Sequence, residues 1–570
     1  MTSCSGTIRR LAERTLVVLA IMPSVSCQRD ASQTSEPTPP NSAQVLVNVD
    51  IVTMNPAQPR AEAIAWRDGR IIAVGSRGEV EAAAGKGATV TDMGGKTVTP
   101  GFIETHSHTL DYGGVLGYVD AYPSTISSIA ALQEKLRGAK PDANGWVAAY
   151  GFDINLYKDK RPMTRADLDA VRSDVPVFVI DQSGHAATAN SKALEMAKVT
   201  PQRPNPPGGE YLKGADGQLT GRLIELSAMF SVYPVPTSTV ATAMRGAMGH
   251  ARVGFTTSTE GGILSAAGPA ILLEASAAPD WPVRIVAGFA YMVPELRGMV
   301  PERARYESAM TKYRFVKLWN DGSSQGGTAL IKGGYVNFPG ANPPITIPPE
   351  ELKQQVKWIF ESGLDPHVHC NGDQATDWYL DAIEYAIKET GRTDVRPIII
   401  HGQYIRPDQF ERIERIRKGS GVTVGISFMT VHLDYWGDMH QVNTYGPERA
   451  QRITAVRDAI AHAIPYGLHN DAPITPPNPL HSMWTAVMRR APNGNVLGPD
   501  QKLTAEEALA GYTRSAAWLL RMENEAGTLE TGKYADLTIL DANPMKVDPD
   551  RIKDIGVVGT IMGGRRTVEL

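Results

Sequence analysis

The feature that most constrains the fold is an alternation of short apolar runs with helix-like segments through the middle of the chain. Stretches such as residues 350–362 and 374–390 carry apolar residues at three- and four-residue spacing. Strands that alternate with helices predict parallel βαβ units. The apolar runs cover residues 98–108, 254–260, 282–289, 314–321, 365–369, 396–401, 421–428 and 463–471. These eight units predict an α/β fold, a closed (β/α)8 TIM-like barrel.

Three segments lie outside this pattern. Residues 112–250 are too long for a single crossover between strands and predict an insertion in the barrel. Residues 45–97 and 521–570 are both rich in short strands and turn signals. They predict one small β-sandwich formed by both chain ends, although two unrelated terminal hairpins are the alternative. The barrel with its insertion then occupies residues 98–520.

The first 44 residues do not fit the barrel or the sandwich. Three arginines, a short apolar run (LVVLAIM) and the small residues Ser-Val-Ser predict a signal peptide over residues 1–26. An uncleaved anchor is the alternative, although a bilayer span needs about 20 apolar residues. Residues 27–44 are rich in Ser, Thr and Pro and predict a flexible linker. We expect an exported protein, periplasmic or anchored to the envelope, and a lipid anchor at Cys27 stays open.

Charge and cysteine content exclude two classes of protein. The chain has 57 basic and 61 acidic residues, a net charge of −4, which argues against a nucleic-acid partner. Its three cysteines (Cys4, Cys27 and Cys370) are too few for a disulfide framework. With 42% hydrophobic residues the chain can bury a large core, so we expect an enzyme that acts on a small molecule.

Side chains that bind metals lie at the ends of several predicted strands. His106 and His108 form an HxH pair, and residues i and i+2 of a strand point to the same side. Lys317 lies within an apolar strand, where burial is costly unless the amine is paired or modified. The full candidate set is His106, His108, Lys317, His369, His401 and Asp471. Each has a structural explanation when taken singly, but together they predict a two-metal site at the barrel mouth.

The motifs around these residues resemble the amidohydrolase superfamily, specifically the amidohydrolase-3 branch that includes N-substituted formamide deformylase-like enzymes. The resemblance covers nearly everything from residue 45 to 570. The motifs are PGFIETHSH (100–108), KLWNDGS (317–323), HCNGD (369–373), HGQ (401–403), GPERA (446–450), DAP (471–473) and GTLETGKYADLTIL (527–540). Cys370-Asn371 stand where the branch usually has Ala-Ile, and His469-Asn470 where Gly-Ser is common. We expect both departures to alter the pocket rim rather than the metals.

The resemblance implies roles for the candidate ligands. The HxH pair and Asp471 would hold the more buried metal. His369 and His401 would hold the second, and Lys317, carboxylated by CO₂, would bridge the two. Asp471 would act as general base and then as general acid. Two divalent ions would lower the pKa of a bridging water towards roughly 7. Zn²⁺ suits the imidazole-rich set best, with Mn²⁺, Co²⁺ and Fe²⁺ still open.

Other polar and aromatic residues are candidate substrate contacts. His185 lies on the insertion, in a stretch that resembles the family, and is expected to touch the substrate or stabilise an oxyanion. A structural histidine is the alternative. His432, Tyr435 and Trp436 follow the seventh strand and are expected to line the pocket at the barrel mouth. Ordinary packing is the alternative for these three.

The sequence therefore predicts a metal-dependent hydrolase of a C–N bond (amide, formamide, carbamate or urea) in a small molecule. Ester, lactone or phosphotriester hydrolysis on the same scaffold is an open alternative, as is a non-catalytic envelope protein. Ring deamination is disfavoured, because mononuclear deaminases usually lack the lysine of the fourth strand and carry glutamate where Gly372 stands. The sequence leaves the substrate, the amide or ester preference and the oligomeric state open.

Overall fold

The computed structural model describes residues 42–233, 238–338, 341 and 343–569. The predicted signal peptide, Cys27 and most of the predicted linker lie outside these residues. Within the described ranges, every helix is too short or too polar to cross a membrane.

Eight parallel strands form a curved sheet, and we number them β1 to β8 in chain order. They are Phe102–Ile103, Phe255–Ile263, Arg284–Ala290, Thr311–Trp319, Asp365–Cys370, Ile398–His401, Gly425–Phe428 and Tyr466–Leu468. The ends of the sheet meet across Gly511 and Tyr512, because Leu468 N–H donates to the Gly511 carbonyl and Ile103 N–H to the Tyr512 carbonyl. This arrangement confirms the predicted TIM-like barrel.

The amphipathic stretches form helices between the strands. In the helix Pro349–Ser362, the buried residues Leu352, Val356, Ile359 and Phe360 repeat at three- and four-residue intervals. The helix ends at Gly363, whose φ of +73° is a left-handed conformation that glycine adopts at little cost. The other α-helices that follow barrel strands or lie in their loops are Thr109–Val115, Val240–Ala251, Gly268–Ser276, Pro294–Met299, Asp373–Thr390, Pro407–Ser420, His432–Met439, Gly446–Arg449, Val456–Ala461, Pro479–Met488, Ala505–Ala510 and Arg514–Leu519.

The segment predicted as an insertion contains a sheet of its own. Its strands are Val119–Asp120, Val147–Phe152, Val177–Asp181, Ala186–Ala189, Glu210–Lys213 and Leu219–Ile224. The helices Ile129–Gly138, Arg165–Asp169, Ser191–Met196 and Glu225–Phe230 accompany it. Two separate hydrophobic clusters, one around Leu132 and one around Tyr211, bury its faces. His185 lies in the turn that joins two of these strands.

Both chain ends build a pair of packed sheets. One sheet consists of Gln44–Val47, Ala63–Arg67, Arg70–Gly75 and Thr89–Asp92, next to the helix Arg77–Ala84. The other consists of Asp50–Val52, Arg60–Ala61, Thr97–Pro100, Leu537–Leu540, Val557–Met562 and Arg565–Glu569. Val98 pairs with Ile539, and side chains of both sheets share one hydrophobic cluster. The predicted sandwich is therefore confirmed, and two independent hairpins are excluded.

Candidate metal centre

Four of the six candidate ligands meet at the ends of β1, β4 and β8. Asp471 Oδ1 lies 3.4 Å from His106 Nε2 and 3.6 Å from His108 Nε2. The Nζ atom of Lys317 lies 3.2 Å from His106 Nε2. These atoms belong to strands on both sides of the barrel interior, so the strand ends bring together residues that are far apart in the sequence.

The remaining two candidate ligands close the group. The rings of His369 and His401 have centroids 4.4 Å apart, and the ring of His401 lies 5.3 Å from that of His106. His106, His401 and Asp471 each place one ligand atom within 4.8 Å of the others. The structure therefore brings all six predicted side chains to one place.

The group has the character of a metal site. His106 is 1% exposed and Lys317 is fully buried. The Oδ1 atom of Asp471, which faces both histidines of the HxH pair, is buried without a hydrogen-bond partner. Buried polar atoms without partners cost free energy unless a ligand satisfies them. Imidazole nitrogens and a carboxylate oxygen are the donor set of divalent transition metals, so the residues present fit such ions.

Burial shifts the ionisable groups of the site towards their neutral forms. It lowers the pKa of Lys317 to about 7 and raises that of Asp471 to about 7. It also holds the pKa values of His106, His369 and His401 well below the usual value. Neutral imidazoles are the metal-binding form, so no protonated histidine has to be discharged at neutral pH.

Two of the ligand positions have an unusual backbone. His401 has a φ of +76° and Asp471 a φ of +58°, a left-handed region that non-glycine residues rarely adopt. Such conformations cost about 1–3 kcal/mol each and persist where the surrounding structure holds them for function. His401 is the last residue of β6, and Asp471 lies three residues beyond the end of β8, where the turn of the backbone sets the direction of each side chain.

An aspartate that the sequence argument did not select orients His369. The Nδ1 atom of His369 lies 2.9 Å from Asp321 Oδ1, and Asp321 also accepts the backbone N–H groups of Leu330, Asn371 and Gly372. A carboxylate on one ring nitrogen leaves the other available to a metal. Asp321 belongs to the KLWNDGS motif, four residues beyond Lys317, which was the available signal.

The insertion delivers His185 to the same place. Its ring centroid lies 4.9 Å from that of His369, and its Nδ1 atom lies 2.7 Å from Glu225 Oε2. Burial opposes the charged form of His185, but Glu225 raises its pKa above the usual value. Glu225 is 40 positions away in the sequence, and no pattern connected it with His185.

The other three predicted substrate contacts lie elsewhere. His432, Tyr435 and Trp436 are on the helix His432–Met439. The Trp436 Nε1–H donates to Asp153 at 2.7 Å, and His432 Nδ1 lies 3.3 Å from His440 Nε2. None of the three is among the described residues that line the cavity beside the ligand group. The helix turns His432 and Trp436 into the core, while Tyr435 is half-buried, so the structure does not bring them to this cavity. Their role as substrate contacts stays a prediction.

The two departures from the family motifs were also misjudged. His469 is fully buried, and its Nε2 atom lies 3.0 Å from His401 Nδ1. Asn371 is 3% exposed and its Nδ2 atom lies 3.5 Å from His369 Nε2. Both residues therefore contact predicted metal ligands instead of forming the pocket rim.

A cavity of about 150 Å³ opens onto the ligand group. Five candidate ligands line one side of it: His106, His108, His369, His401 and Asp471. The facing walls are mostly apolar and come largely from the insertion: Tyr118, Tyr150, Ile180, Leu226, Met229 and Phe230. His185 lies between the two sides. A ligand in this cavity would have its polar centre at the histidines and an apolar part against the insertion.

Comparison with known proteins agrees with this geometry. The family model described as "Amidohydrolase family" (Amidohydro_3) matches residues 89–568. An N-substituted formamide deformylase of Arthrobacter pascens is 26% identical over 539 residues, which cover 91% of this chain and 97% of the relative. The protein LONG AFTER FAR-RED 3 of Arabidopsis thaliana is 27% identical over 556 residues, covering 93% and 92%.

A solved structure has the same fold. An uncharacterized metal-dependent hydrolase from Pyrococcus horikoshii OT3 superposes with a TM-score of 0.69 at 24% identity, covering 89% of this chain and 99% of that one. Because the family model spans most of the residues that form the barrel and the sandwich, the chain belongs to the amidohydrolase family and is a hydrolase that acts on carbon–nitrogen bonds.

Proposed function

We propose that this enzyme hydrolyses an amide, formamide, carbamate or urea bond in a small molecule that carries an apolar substituent. The single observation that carries the proposal is the convergence of His106, His108, Lys317, His369, His401 and Asp471 on one buried point at the barrel mouth. Two divalent ions bound there, which we propose to be Zn²⁺, would supply Lewis acidity and lower the pKa of water.

Lys317 is the proposed bridge between the two metal positions. Its amine is fully buried, and its pKa of about 7 gives a large share of neutral amine at physiological pH. A neutral amine attacks CO₂, forms an N–C bond and loses one proton, which yields a carbamate. The carbamate is an anionic oxygen ligand, so it explains why an amine lies buried among imidazoles.

Asp471 is the proposed proton carrier. Its Oδ1 atom faces both histidines of the HxH pair, and its pKa is raised by burial to about 7, near the pH at which a general base works best. It would take a proton from the attacking water and pass it to the leaving nitrogen. His185, which is oriented by Glu225 and lines the cavity, would donate a hydrogen bond to the oxygen of the carbonyl group under attack.

The cavity walls support the substrate class. Leu226, Met229 and Phe230 form an apolar surface on one helix of the insertion, and no lysine or arginine is among the described residues that line the cavity. A cavity of this kind favours an uncharged substrate whose acyl group or N-substituent is alkyl or aryl.

The test combines metal analysis with a substrate panel. We expect about two metal ions per purified chain, and turnover of uncharged N-acyl, carbamate or urea compounds that is lost on chelation and restored by Zn²⁺. Faster turnover of matched esters would move the assignment to an esterase. A purified chain that holds no metal and hydrolyses none of the panel would refute the proposal.

We also propose that the protein is exported. The support is the sequence of residues 1–27, with its arginines, apolar run and Cys27. Cell fractionation and mass spectrometry of the mature N-terminus would test it. A cytoplasmic protein that retains residues 1–26 would contradict it, and a diacylated Cys27 would establish the lipid anchor.

A further inference from the structure

A line of buried hydrogen bonds runs from His401 into the barrel wall. His401 Nδ1 lies 3.0 Å from His469 Nε2, and His469 Nδ1 lies 2.7 Å from the hydroxyl of Ser427. That hydroxyl lies 2.6 Å from the hydroxyl of Thr105, which donates to the carbonyl of Leu468 at 3.0 Å. The four side chains are at most 3% exposed. They come from the ends of β1, β6, β7 and β8, and of the four only His401 lines the cavity.

The direction of every hydrogen bond in this line follows from its last member. A carbonyl oxygen only accepts hydrogen bonds, so the Thr105 hydroxyl donates its hydrogen to the Leu468 carbonyl. The hydroxyl hydrogen of Thr105 is then already used, so in the short contact with Ser427 the Ser427 hydroxyl is the donor. The Ser427 hydroxyl therefore accepts from His469, which means that His469 carries a hydrogen on Nδ1.

The same count fixes both histidine rings. A neutral imidazole carries one N–H, and the ring of His469 is fully buried with one nitrogen against His401 and the other against Ser427. Since the N–H of His469 is on Nδ1, its Nε2 atom is an acceptor. The contact of 3.0 Å with His401 therefore requires the hydrogen on His401 Nδ1, and Nε2 is left as the only ring nitrogen of His401 with a free lone pair.

We propose that His469, backed by Ser427 and Thr105, is a positioning residue that fixes the tautomer of His401 and so reserves its Nε2 atom for a divalent ion. The inference rests on the metal site of the proposed function and goes beyond it, because it assigns a role to residues that do not touch the metal or the substrate. Hydrogen-bond partners of this kind orient metal-binding histidines and raise their basicity.

The experiment measures Zn²⁺ binding by the chelated full-length protein, in competition with a chromophoric chelator. Thr105→Val removes one hydroxyl at constant size, and Thr105→Ser keeps it. We expect Thr105→Val to weaken one of the Zn²⁺ sites by about 10- to 100-fold and Thr105→Ser to change it little. Thr311→Val is the matched control, because the Thr311 hydroxyl is buried in β4 without a hydrogen-bond partner. It should bind Zn²⁺ as the wild type does.

A second pair of variants keeps the test decisive if Thr105→Val fails to fold. Glutamine at position 469 has an oxygen that accepts from His401 Nδ1–H and an amide that donates to Ser427. We expect His469→Gln to keep Zn²⁺ affinity within a few-fold of wild type and His469→Leu to lose about 10- to 100-fold at one site.

Two results would overturn the inference while leaving the proposed function intact. One is wild-type Zn²⁺ affinity in Thr105→Val or in His469→Leu. The other is an equal loss in His469→Gln and His469→Leu with no effect of Thr105→Val, which would make His469 a direct metal ligand. A wild-type chain that binds no Zn²⁺ would refute the proposed function and the inference together.

Discussion

The two ends of the barrel treat buried charge in opposite ways. At the mouth, where the strands end, Lys317 and Asp471 are buried among imidazoles without a salt-bridge partner of the ordinary lysine–carboxylate or arginine–carboxylate kind. At the base, where the strands begin, buried charges are paired. Arg284, the first residue of β3, binds Asp536 of the sandwich at 2.9 Å, and Asp365, the first residue of β5, accepts two hydrogen bonds of 2.6 Å from Arg521.

The difference indicates that the ion pairs at the base stabilise the fold, whereas the side chains at the mouth serve function. The ion pairs at the base link barrel strands to Arg521 and Asp536, in the C-terminal part of the chain that forms the sandwich. They need no ligand, because each charge already has a partner. The ionisable groups at the mouth have no partners of this kind and are shifted towards their neutral forms, and bound ions or substrate would supply partners. We therefore expect substitutions at the mouth to remove activity with little loss of stability, and substitutions at the base to do the reverse.

Lys317→Ala should give the largest effect. It removes the proposed bridging ligand, so we expect metal content to fall from about two ions per chain to about one or fewer, and turnover to fall below detection. Short carboxylates such as formate or acetate should restore part of both. The metal-free variant should be as stable to urea as the wild-type apoprotein, because a buried amine has been removed. Two ions retained without any effect of added carboxylate would contradict the bridge.

Asp471→Asn should give the second-largest effect. The amide cannot accept the proton of the attacking water, so we expect kcat to fall by about 100- to 10,000-fold. Most of the metal should stay bound, because five other candidate ligands remain. Metal analysis and steady-state kinetics on the same preparation measure both quantities. A rate close to wild type would remove Asp471 from proton transfer.

The variant Arg284→Met tests the ion pairs at the end of the barrel where the strands begin. It leaves Asp536 buried without its cation, so we expect the free energy of unfolding to fall by about 3–5 kcal/mol. The kcat of the folded fraction and its metal content should not change. The double variant Arg284→Met/Asp536→Asn removes the uncompensated charge and should recover much of the stability. Loss of metal in the single variant would show that the two barrel ends are not independent.

Met229→Ala should give the smallest effect. Met229 is 3% exposed and lines the apolar wall of the cavity, so its truncation removes contacts to the substrate and none to the ligands. For a substrate with a bulky apolar group, we expect kcat/KM to fall by about tenfold, mainly through KM. A matched substrate with a methyl group in its place should be affected less. Equal losses on both substrates would mean that the wall does not contact the substituent.

The barrel and the ligand group were predictable because both depend on strand ends. A run such as β4 is apolar, and a lysine inside it or a histidine at its end stands out against that background. Since the ends of parallel strands meet at one mouth, the sequence also indicated that these side chains would lie together. The sandwich was visible because both chain ends carry short strands with turn signals.

The contacts around the candidate ligands could not be predicted from the sequence, because they are tertiary contacts without a local sequence pattern. Glu225 reaches His185 only after the insertion has folded, and His469 meets His401 across two strands. The position of Trp436 away from the cavity has the same origin. An aromatic residue after a strand looks like a pocket residue, and only the packing of its helix against Asp153 decides otherwise.

The sandwich strand Thr97–Pro100 leads directly into β1, and the backbone N–H of Phe102 contacts the Thr538 hydroxyl, 436 positions later in the chain. During synthesis the first strand of the barrel therefore has to wait for nearly the last part of the polypeptide before its neighbours are complete. Long-range contacts of this kind make folding slow, because two distant parts of the chain must meet before β1 has all of its hydrogen bonds.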